Sequence, residues 1–589
     1  MENKKWRVAE AMPEEAKMAF PELSPVLAQL LWNRGVKTQA EVDIFLGPDW
    51  TRDTHDPFLF KQMNEAVART FAALEKKEVI TIHGDYDADG VCGTAVVYST
   101  LREICRAFKF DFENITTYIP HREREGYGLF VATSEHLRQH DKTDLLITVD
   151  CGISNADAIA RGKELGFETI ICDHHAVPEV LPEAIILHPQ VLGEPYPNKV
   201  LCGAGVAFKF ASALIVEAQK RGAEFPAGYE KWLLDLVAIA TVTDVMPLTG
   251  ENRVLETYGL LVLKKTRRLG LQKLFQAAAV KTEQIDSWTI GFQIGPRLNA
   301  AGRMDHADPA FRLLVSEDEQ EAGTLAAQLH AANVLRQKRS EEIYQEALAQ
   351  VGEPGEQKFL SAAAEGWSAG LVGLSAGKLC EKYARPVVIV ARDGEKFTGS
   401  GRSIPAFDIM KALNAAAPFL DRFGGHPQAC GFSTTGEERY KQAIAAMVAT
   451  AEAELKVEDL VSEIFIDAIT PLGAINWELE AAIGRLAPFG EGNRQPLFGS
   501  RGLQLVSYET MGQEGKHLRM TVRDPADGII KKMVAFGFGS IAPNLSIGGI
   551  IDVAYNVSVN EWNGNRELQL KVVDLRLEAR GPSREAESK

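Results

Sequence analysis

Residues 83–90 read HGDYDADG, one histidine and three aspartates at alternate positions, directly after the β-branched run EVITI. Like charges this close repel and raise one another's pKa unless a cation neutralises them. A loop so dense in carboxylate, opening on His83, reads as a divalent-metal site. Gly84 and Gly90 permit a tight turn and close approach of a ligand. The alternative is a solvated turn with aspartates at helix N-cap positions. A helix-loop-helix calcium site is disfavoured, because it needs a glutamate at loop position twelve where this chain has Val96, Val97 and Tyr98.

Three further acidic positions share that setting. Asp150 ends DLLITVD (144–150), and Asp173-His174-His175 end the run FETIICDHH (167–175). Asp244 closes the apolar stretch WLLDLVAIATVTDV. Adjacent imidazoles after an aspartate suit a mixed nitrogen and oxygen shell, with Asp173 able to orient a ring from behind. A carboxylate at a helix C-terminus opposes the helix dipole, and a ligand role would offset that cost. Alone each element is weak; together they can converge on one crevice. Carboxylates and imidazoles without thiolate favour Mn²⁺ or Mg²⁺ over zinc.

The elements that must position these residues are an alternation of strands and helices from about 60 to 250. Apolar runs at 78–84, 115–120, 144–150, 167–173 and 183–189 lie among helical patterns at 60–76, 91–108, 154–165, 202–220 and 230–243. This implies a mostly parallel sheet with helices on both faces, which binds ligands beyond the carboxyl ends of its strands. Residues 315–352 read as a long solvated helix joining two domains. A smaller α/β segment comes next, with the strand PVVIVAR, a glycine-rich loop GSGRS and the string FGGH. After 460 five strands predict a small β-barrel of the OB-fold type, with a hairpin at Asn563-Gly564. The expected divisions are an N-terminal segment 1–55, a parallel-sheet domain 56–260, a helical region 261–355, a second α/β domain 356–455 and a barrel 460–580.

At 589 residues the chain is too long for one core, and its 46% hydrophobic and 24% charged content is that of a globular protein. Seven widely spaced cysteines without CxxC argue against disulfides or zinc and for a reducing cytoplasm. The sequence shows neither a secretory signal nor an apolar run of the ~20 residues that span a bilayer, so no membrane partner is expected. A net charge of −16 opposes nucleic-acid binding by bulk charge and confines any DNA contact to a basic groove.

These motifs resemble the DHH phosphoesterase superfamily and, within it, the bacterial RecJ single-strand-specific exonucleases, from about residue 50 to 575. The more specific strings are IPHREREGYGL (119–129), GPRLNAAGRMDHAD (295–308), GSGRSIPAFDI (399–409), FGGHPQACGFS (423–433) and LAPFGEGN (486–493). The resemblance implies a DHH domain, a DHHA1 domain, a C-terminal OB-fold and 5′-to-3′ degradation of single-stranded DNA to mononucleotides in recombination and repair. By the same resemblance His83, Asp87, Asp89, Asp150, His174 and Asp244 are metal ligands for two Mn²⁺ ions, with Mg²⁺ as a substitute and Asp150 as the bridge. Asp150, Asp173, His174 and His175 form the catalytic group, His175 beside the scissile phosphate. Arg122, Ser400 and Arg402 would hold the 5′-terminal phosphate; Arg297, Asn299 and Arg303 would contact the backbone near the cut, with His426 close by. Each arginine has the alternative of a surface salt bridge.

Two positions depart from the family pattern: Ser368 stands where a Trp-His-x-Gly string has histidine, and Arg494 where FGEGN is usually followed by proline. Phe536, Phe538, Tyr555 and Trp562 are candidates to stack bases, the alternative being barrel core. A single-stranded-DNA-binding protein and a RecQ-type helicase are partners by resemblance only. Two other readings are a DHH enzyme for small nucleotide substrates and a non-catalytic DNA-binding relative.

Overall fold

The computed structural model describes residues 4–18, 20–562 and 564–577, forming two compact units. One comprises Pro48–Leu460 with Gly490–Gly492, the other Met1–Gly47, Val461–Phe489 and Asn493–Lys589. Among the described residues no helix is long and apolar enough to cross a membrane. All seven cysteines are buried free thiols.

The first unit opens on a five-stranded sheet of β1 (Ile80–Gly84), β2 (Ile115–Tyr118), β3 (Leu145–Val149), β4 (Glu168–Cys172) and β5 (Ile185–Leu187). Its order is β2-β1-β3-β4-β5 and every pairing is parallel. β1 and β3 are buried along their whole length, as continuous β-branched runs covered on both faces must be. The covering helices include α1 (Ala88–Phe108) and α2 (Gly203–Lys220), and α3 (Leu234–Thr243) packs on both of them. A helix at Val131–Gln139 was not legible in the sequence; with mean polarity high and only Thr133, Ser134 and Leu137 buried, its apolar stripe is too thin to read.

Beyond α3 a π-helical turn (Ile290–Ile294) runs into α4 (Gly295–Met304), and the 33-residue α5 (Glu319–Val351) comes after it. α5 is solvated on one face only. Ala322, Leu325, Ala326 and Leu329 enter the core of the parallel-sheet domain, whereas Ile343 and Ala347 enter the next core. That second core surrounds β6 (Leu360–Glu365), β7 (Val387–Asp393), β8 (Lys396–Arg402), β9 (Arg422–His426) and β10 (Ala429–Thr435). Their order is β9-β10-β8-β7-β6, antiparallel except for β6 with β7. The expected glycine-rich loop GSGRS is therefore corrected to a strand, for it lies in β8 paired on both sides. Its glycines serve packing: a β-carbon on Gly399 would stand 2.3 Å from the Phe432 ring, and one on Gly401 2.7 Å from Cys430 Sγ.

In the second unit β11 (Phe498–Met511), β12 (His517–Arg523), β13 (Ile530–Ala535), β14 (Ile550–Trp562) and β15 (Asn565–Leu577) form a closed barrel. The order is β11-β12-β13-β15-β14, and β14 pairs back onto β11. Residues before 48 belong to this body. Strand Lys5–Val8 pairs with Glu463–Ile466, and Leu27, Leu30 and Leu31 join the barrel core. The carbonyl of Arg494 accepts a hydrogen bond from Arg34 Nη2 at 2.6 Å, so this departure sits in a tied turn. Tyr555, a candidate to stack bases, is fully buried with its hydroxyl 2.8 Å from Ser500 Oγ, and is barrel core instead. Phe538 packs partly against the core, Phe536 is half exposed, and Asn563, the side chain of Trp562 and the tail 581–589 lie outside the described residues.

Candidate metal centre and nucleic-acid interface

The carboxyl ends of β1, β3 and β4 lie side by side in the sheet, so HGDYDADG, Asp150 and Asp173-His174-His175 are forced onto one rim. α1 starts at this rim. Asp87 caps it, accepting from the backbone N–H groups of Asp89 and Gly90 at 2.9 and 3.2 Å. Asp89 is buried in the first turn and faces the start of α2, whose Gly203 and Ala204 N–H groups donate to its two oxygens at 2.7 Å each. Burial first, then Asp87, nevertheless pushes its carboxyl up to about 6.

Asp150 takes a left-handed backbone conformation (φ 63°), which costs about 1–3 kcal/mol for a residue other than glycine. Its N–H donates to Cys172 O at 2.8 Å, and its carbonyl accepts from the Tyr127 hydroxyl at 3.0 Å. Its side chain thereby turns under the start of α2, where only glycine fits: a β-carbon on Gly203 would lie 2.6 Å from Asp150 Cβ. Burial, then Asp89 and Asp87, raise the Asp150 carboxyl well above the ordinary range.

His174 Nε2 sits 3.1 Å from Asp150 Oδ1, 3.4 Å from Asp244 Oδ2 and 3.6 Å from Asp89 Oδ2. Burial and the neighbouring His175 depress its pKa to about 3, leaving a neutral ring with a free lone pair. Asp244 closes α3, and burial followed by Asp89 pushes its carboxyl up to about 9. Asp173 turns the other way. It accepts from the N–H groups of Ile153, His174 and His175 at 2.7–3.1 Å and from His175 Nδ1 at 2.9 Å. Burial opposes its ionisation, but the His175 hydrogen bond and the backbone donors carry it down to about 2. Burial likewise opposes the charge on His175, and Asp173 more than compensates, so its pKa rises. Tyr127 Oη completes that cluster, 2.8 Å from His175 Nδ1.

Three sets of ligand atoms each lie within 4.8 Å: Asp150, His174 and His175; Asp89, His174 and Asp244; and Asp85, Asp87 and Asp150. His83 is in none of them; its buried Nε2 has no hydrogen-bond partner among the described residues, and burial lowers its pKa to about 4. Asp85, to which the sequence reading gave no individual role, is buried with its Oδ1 unpartnered among the described residues and its pKa well above normal, through burial and Asp87. The donor set fits divalent cations. Asp85, Asp89 and Asp150 are buried, Asp244 is half-buried, and all four repel one another; among the described residues Asp244 Oδ2 too has no hydrogen-bond partner. Nothing but a cation relieves such a cluster while keeping it ionised. Tyr127 was within reach of sequence reasoning, inside the string GYGL; Gly203 carried no local signal.

Beside this centre lie the basic residues. Arg122 stacks over the Tyr86 ring at 4.6 Å. Arg402 Nη1 donates to Ser400 Oγ at 3.3 Å, and the start of α6 (Val372–Tyr383) approaches both, a β-carbon on Gly373 falling 2.8 Å from Ser400 Oγ. Arg303 donates to Gly370 O at 3.0 Å, and burial followed by Arg122 lowers its pKa to about 10. Arg297 Nε donates to His330 Nδ1 at 3.3 Å. Asn299 Oδ1 accepts from Ala88 N–H at 2.8 Å, which ties α4 to the start of α1 and commits that oxygen to structure. His426 is exposed on β9, close enough to His174 to help lower its pKa.

Comparison with known proteins adds a family to this geometry. The DHH family N-terminal domain model matches residues 79–241, the DHHA1 domain model 356–453 and the RecJ OB domain model 466–574. The single-stranded-DNA-specific exonuclease RecJ of Bacillus subtilis is 35% identical over 97% of this chain and 70% of its own length. The crystal structure of RecJ in complex with Mn²⁺ from Thermus thermophilus superimposes with a TM-score of 0.81 at 29% identity, over 98% of this chain and 80% of that one. The Mg²⁺ complex from the same organism gives 0.76 at 28% identity, over 98% and 79%.

Proposed function

The chain belongs to the RecJ family, and from that premise we propose that it is a metal-dependent exonuclease degrading single-stranded DNA from the 5′ end to mononucleotides, in recombination and repair. The observation that carries this reading is the pair of carboxylate–imidazole sets that share His174, one holding Asp150 and the other Asp89 and Asp244. In this reading these residues, with Asp87, hold Mn²⁺ or Mg²⁺, and His83 and Asp85 complete the surround. Bound there, such ions acidify water and neutralise charge developing on a phosphate.

The residues of the chain supply the rest. Asp173 accepts from the His175 ring at Nδ1 and raises its pKa, which fixes the ring and favours positive charge beside the phosphate. Tyr127 Oη approaches the same Nδ1, at 2.8 Å, and steadies the ring together with Asp173. The N–H groups of Gly203 and Ala204 hold Asp89 in one orientation, so it does not swing toward water between turnovers. Arg122, Ser400 and Arg402 receive the 5′-terminal phosphate, a forked cation and a hydroxyl on one anion. Arg297 and Arg303 follow the strand past the cut.

The test is Asp150→Ala assayed with Mn²⁺ on 5′-phosphorylated single strands. Release of mononucleotides should fall by several orders of magnitude, and undiminished release would sink the scheme. Blocking the 5′ end of the wild-type substrate should stop release; continued degradation from a blocked 5′ end would refute the polarity.

A further inference from the structure

A cavity of about 720 Å³ shares Arg122 with the terminal-phosphate cluster and Arg303 with the strand path, and extends beyond both to residues given no role above. Tyr86, Arg122 and Arg303 form one wall; Trp367, Ser368 and Thr398 belong to the other. Ser368, one of the two departures from the family pattern, is thus a small side chain at a cavity wall. β8 connects the cavity to the terminal-phosphate cluster. Phe397, Gly399 and Gly401 are buried on one face, so Thr398, Ser400 and Arg402 share the other. Thr398 lies one pleat repeat beyond Ser400, about 7 Å along the strand. That is the reach of two more phosphate groups.

The charge at this cavity is the second observation. Arg122, Arg124, Arg339 and Lys396 line it, and none has an ion-pair partner among the described residues. Among the described residues Arg303 hydrogen-bonds only a backbone carbonyl, that of Gly370. Arg392 is the exception, bonded to Glu365 and Glu437 at 3.3 and 3.2 Å. Glu123 and Asp393 are exposed at the rim and leave an excess of positive charge. Elsewhere the chain is acidic, with a net charge of −16. Unpaired cations gathered round a concave space bind a polyanion far better than a single phosphate, which Ser400 and Arg402 already accommodate.

We propose that the cavity is a polyphosphate subsite for the 5′-triphosphorylated end of a strand, and it rests on the 5′-end reading above. The α-phosphate occupies the Arg122–Ser400–Arg402 cluster, and the β- and γ-phosphates extend past Thr398 toward Arg124, Arg339 and Lys396. Such ends are left on any polynucleotide begun without a primer. Cleavage needs no new reactant. The water oxygen bonds to the phosphorus between nucleotides one and two, its P–O3′ bond breaks and the 3′ oxygen takes a proton. The first nucleotide departs as a nucleoside 5′-triphosphate.

The test compares single-stranded DNA carrying a 5′-monophosphate or a 5′-triphosphate, labelled in its first nucleotide so that the released product is identified, using the full chain with Mn²⁺ and its R339E/K396E variant. The wild type should release a nucleoside triphosphate as first product, with a KM no higher than for the monophosphate strand. The variant should raise KM for the triphosphate strand at least about tenfold, the size of even one of its two lost charged contacts, while monophosphate kinetics stay within about twofold. A second measurement needs no variant. At fixed free Mn²⁺, inorganic tripolyphosphate should compete with the monophosphate strand at least about tenfold more tightly than orthophosphate does. If the wild type degrades the monophosphate strand but rejects the triphosphate one, or if tripolyphosphate and orthophosphate inhibit alike, the subsite is overturned and the 5′-end reading stands. If the monophosphate strand is not degraded from its 5′ end, both fall together.

Discussion

Gly203→Ala should disable the metal centre without touching a ligand. The added β-carbon would stand 2.6 Å from Asp150 Cβ, 2.7 Å from its Oδ1 and 2.9 Å from its Cα. Ordinary contact begins near 3.4 Å, so roughly 0.8 Å must be found by moving either α2 or Asp150. Neither is free to move. Asp150 is held by its N–H to Cys172 O, and Gly203 by its N–H to Asp89 Oδ2 at 2.7 Å. Overpacking of this kind costs about 1–3 kcal/mol of stability. A displacement near 1 Å of a group that must align with a reacting phosphate costs on the order of 10²-fold in rate. The assay is kcat/KM on a single-stranded oligonucleotide across a Mn²⁺ titration, with thermal unfolding in parallel. Gly323→Ala is the control: this glycine lies in α5 with nothing within 4 Å of its added carbon, so the substitution should stabilise by about 0.4–1 kcal/mol and leave the rate alone. A Gly203→Ala enzyme with wild-type rate and wild-type Mn²⁺ dependence would refute the close-approach reasoning.

Without metal, stability should fall as pH rises. Asp89 and Asp244 have folded-state values of about 6 and about 9 against an ordinary 3.8, so the folded chain keeps protons that the unfolded chain has released. Their contribution is complete below about 3.8 and is lost through pH 6 and pH 9. Calorimetry in chelator from pH 5 to 9 should show a declining Tm that Mn²⁺ flattens; a flat or rising metal-free Tm contradicts this. Asp173→Asn should cost about 1.5–3 kcal/mol, because a buried charged acceptor of three backbone N–H groups is weakened. It should also lower the His175 pKa and move the matching limb of the pH–rate profile to lower pH, and an unmoved limb counts against the pair. Tyr555→Phe should lose about 0.5–1.5 kcal/mol with its hydrogen bond to Ser500 while leaving affinity for single-stranded DNA intact. A weakened affinity in a folded variant would return Tyr555 to the binding surface.

Much of the centre was legible in the sequence because its signals are local. A β-branched run that ends in aspartate places a carboxylate over a sheet edge wherever the strand lies, as at Asp150. Three aspartates at alternate positions in HGDYDADG repel one another, a strain that a cation relieves. The barrel and the second α/β domain were legible on the same terms, from alternation and strand length. GSGRS was misread as a loop because local glycine content outweighed pairing partners drawn from β7 and β10, over distances no window of sequence spans. For Tyr555 the sequence left base stacking and barrel core both open, because an aromatic on a strand announces neither its face nor its neighbours.

Sequence alone, then, determined the chemical character of this chain: which residues carry charge or lone pairs, and at which strand ends. Tertiary structure decided which of them meet. It placed the amides of α2 on Asp89 and packed Gly203 against Asp150. It drew the segment before residue 48 into the barrel core. Those outcomes depend on contacts between residues tens to hundreds of positions apart, where burial and repulsion are set by the whole fold.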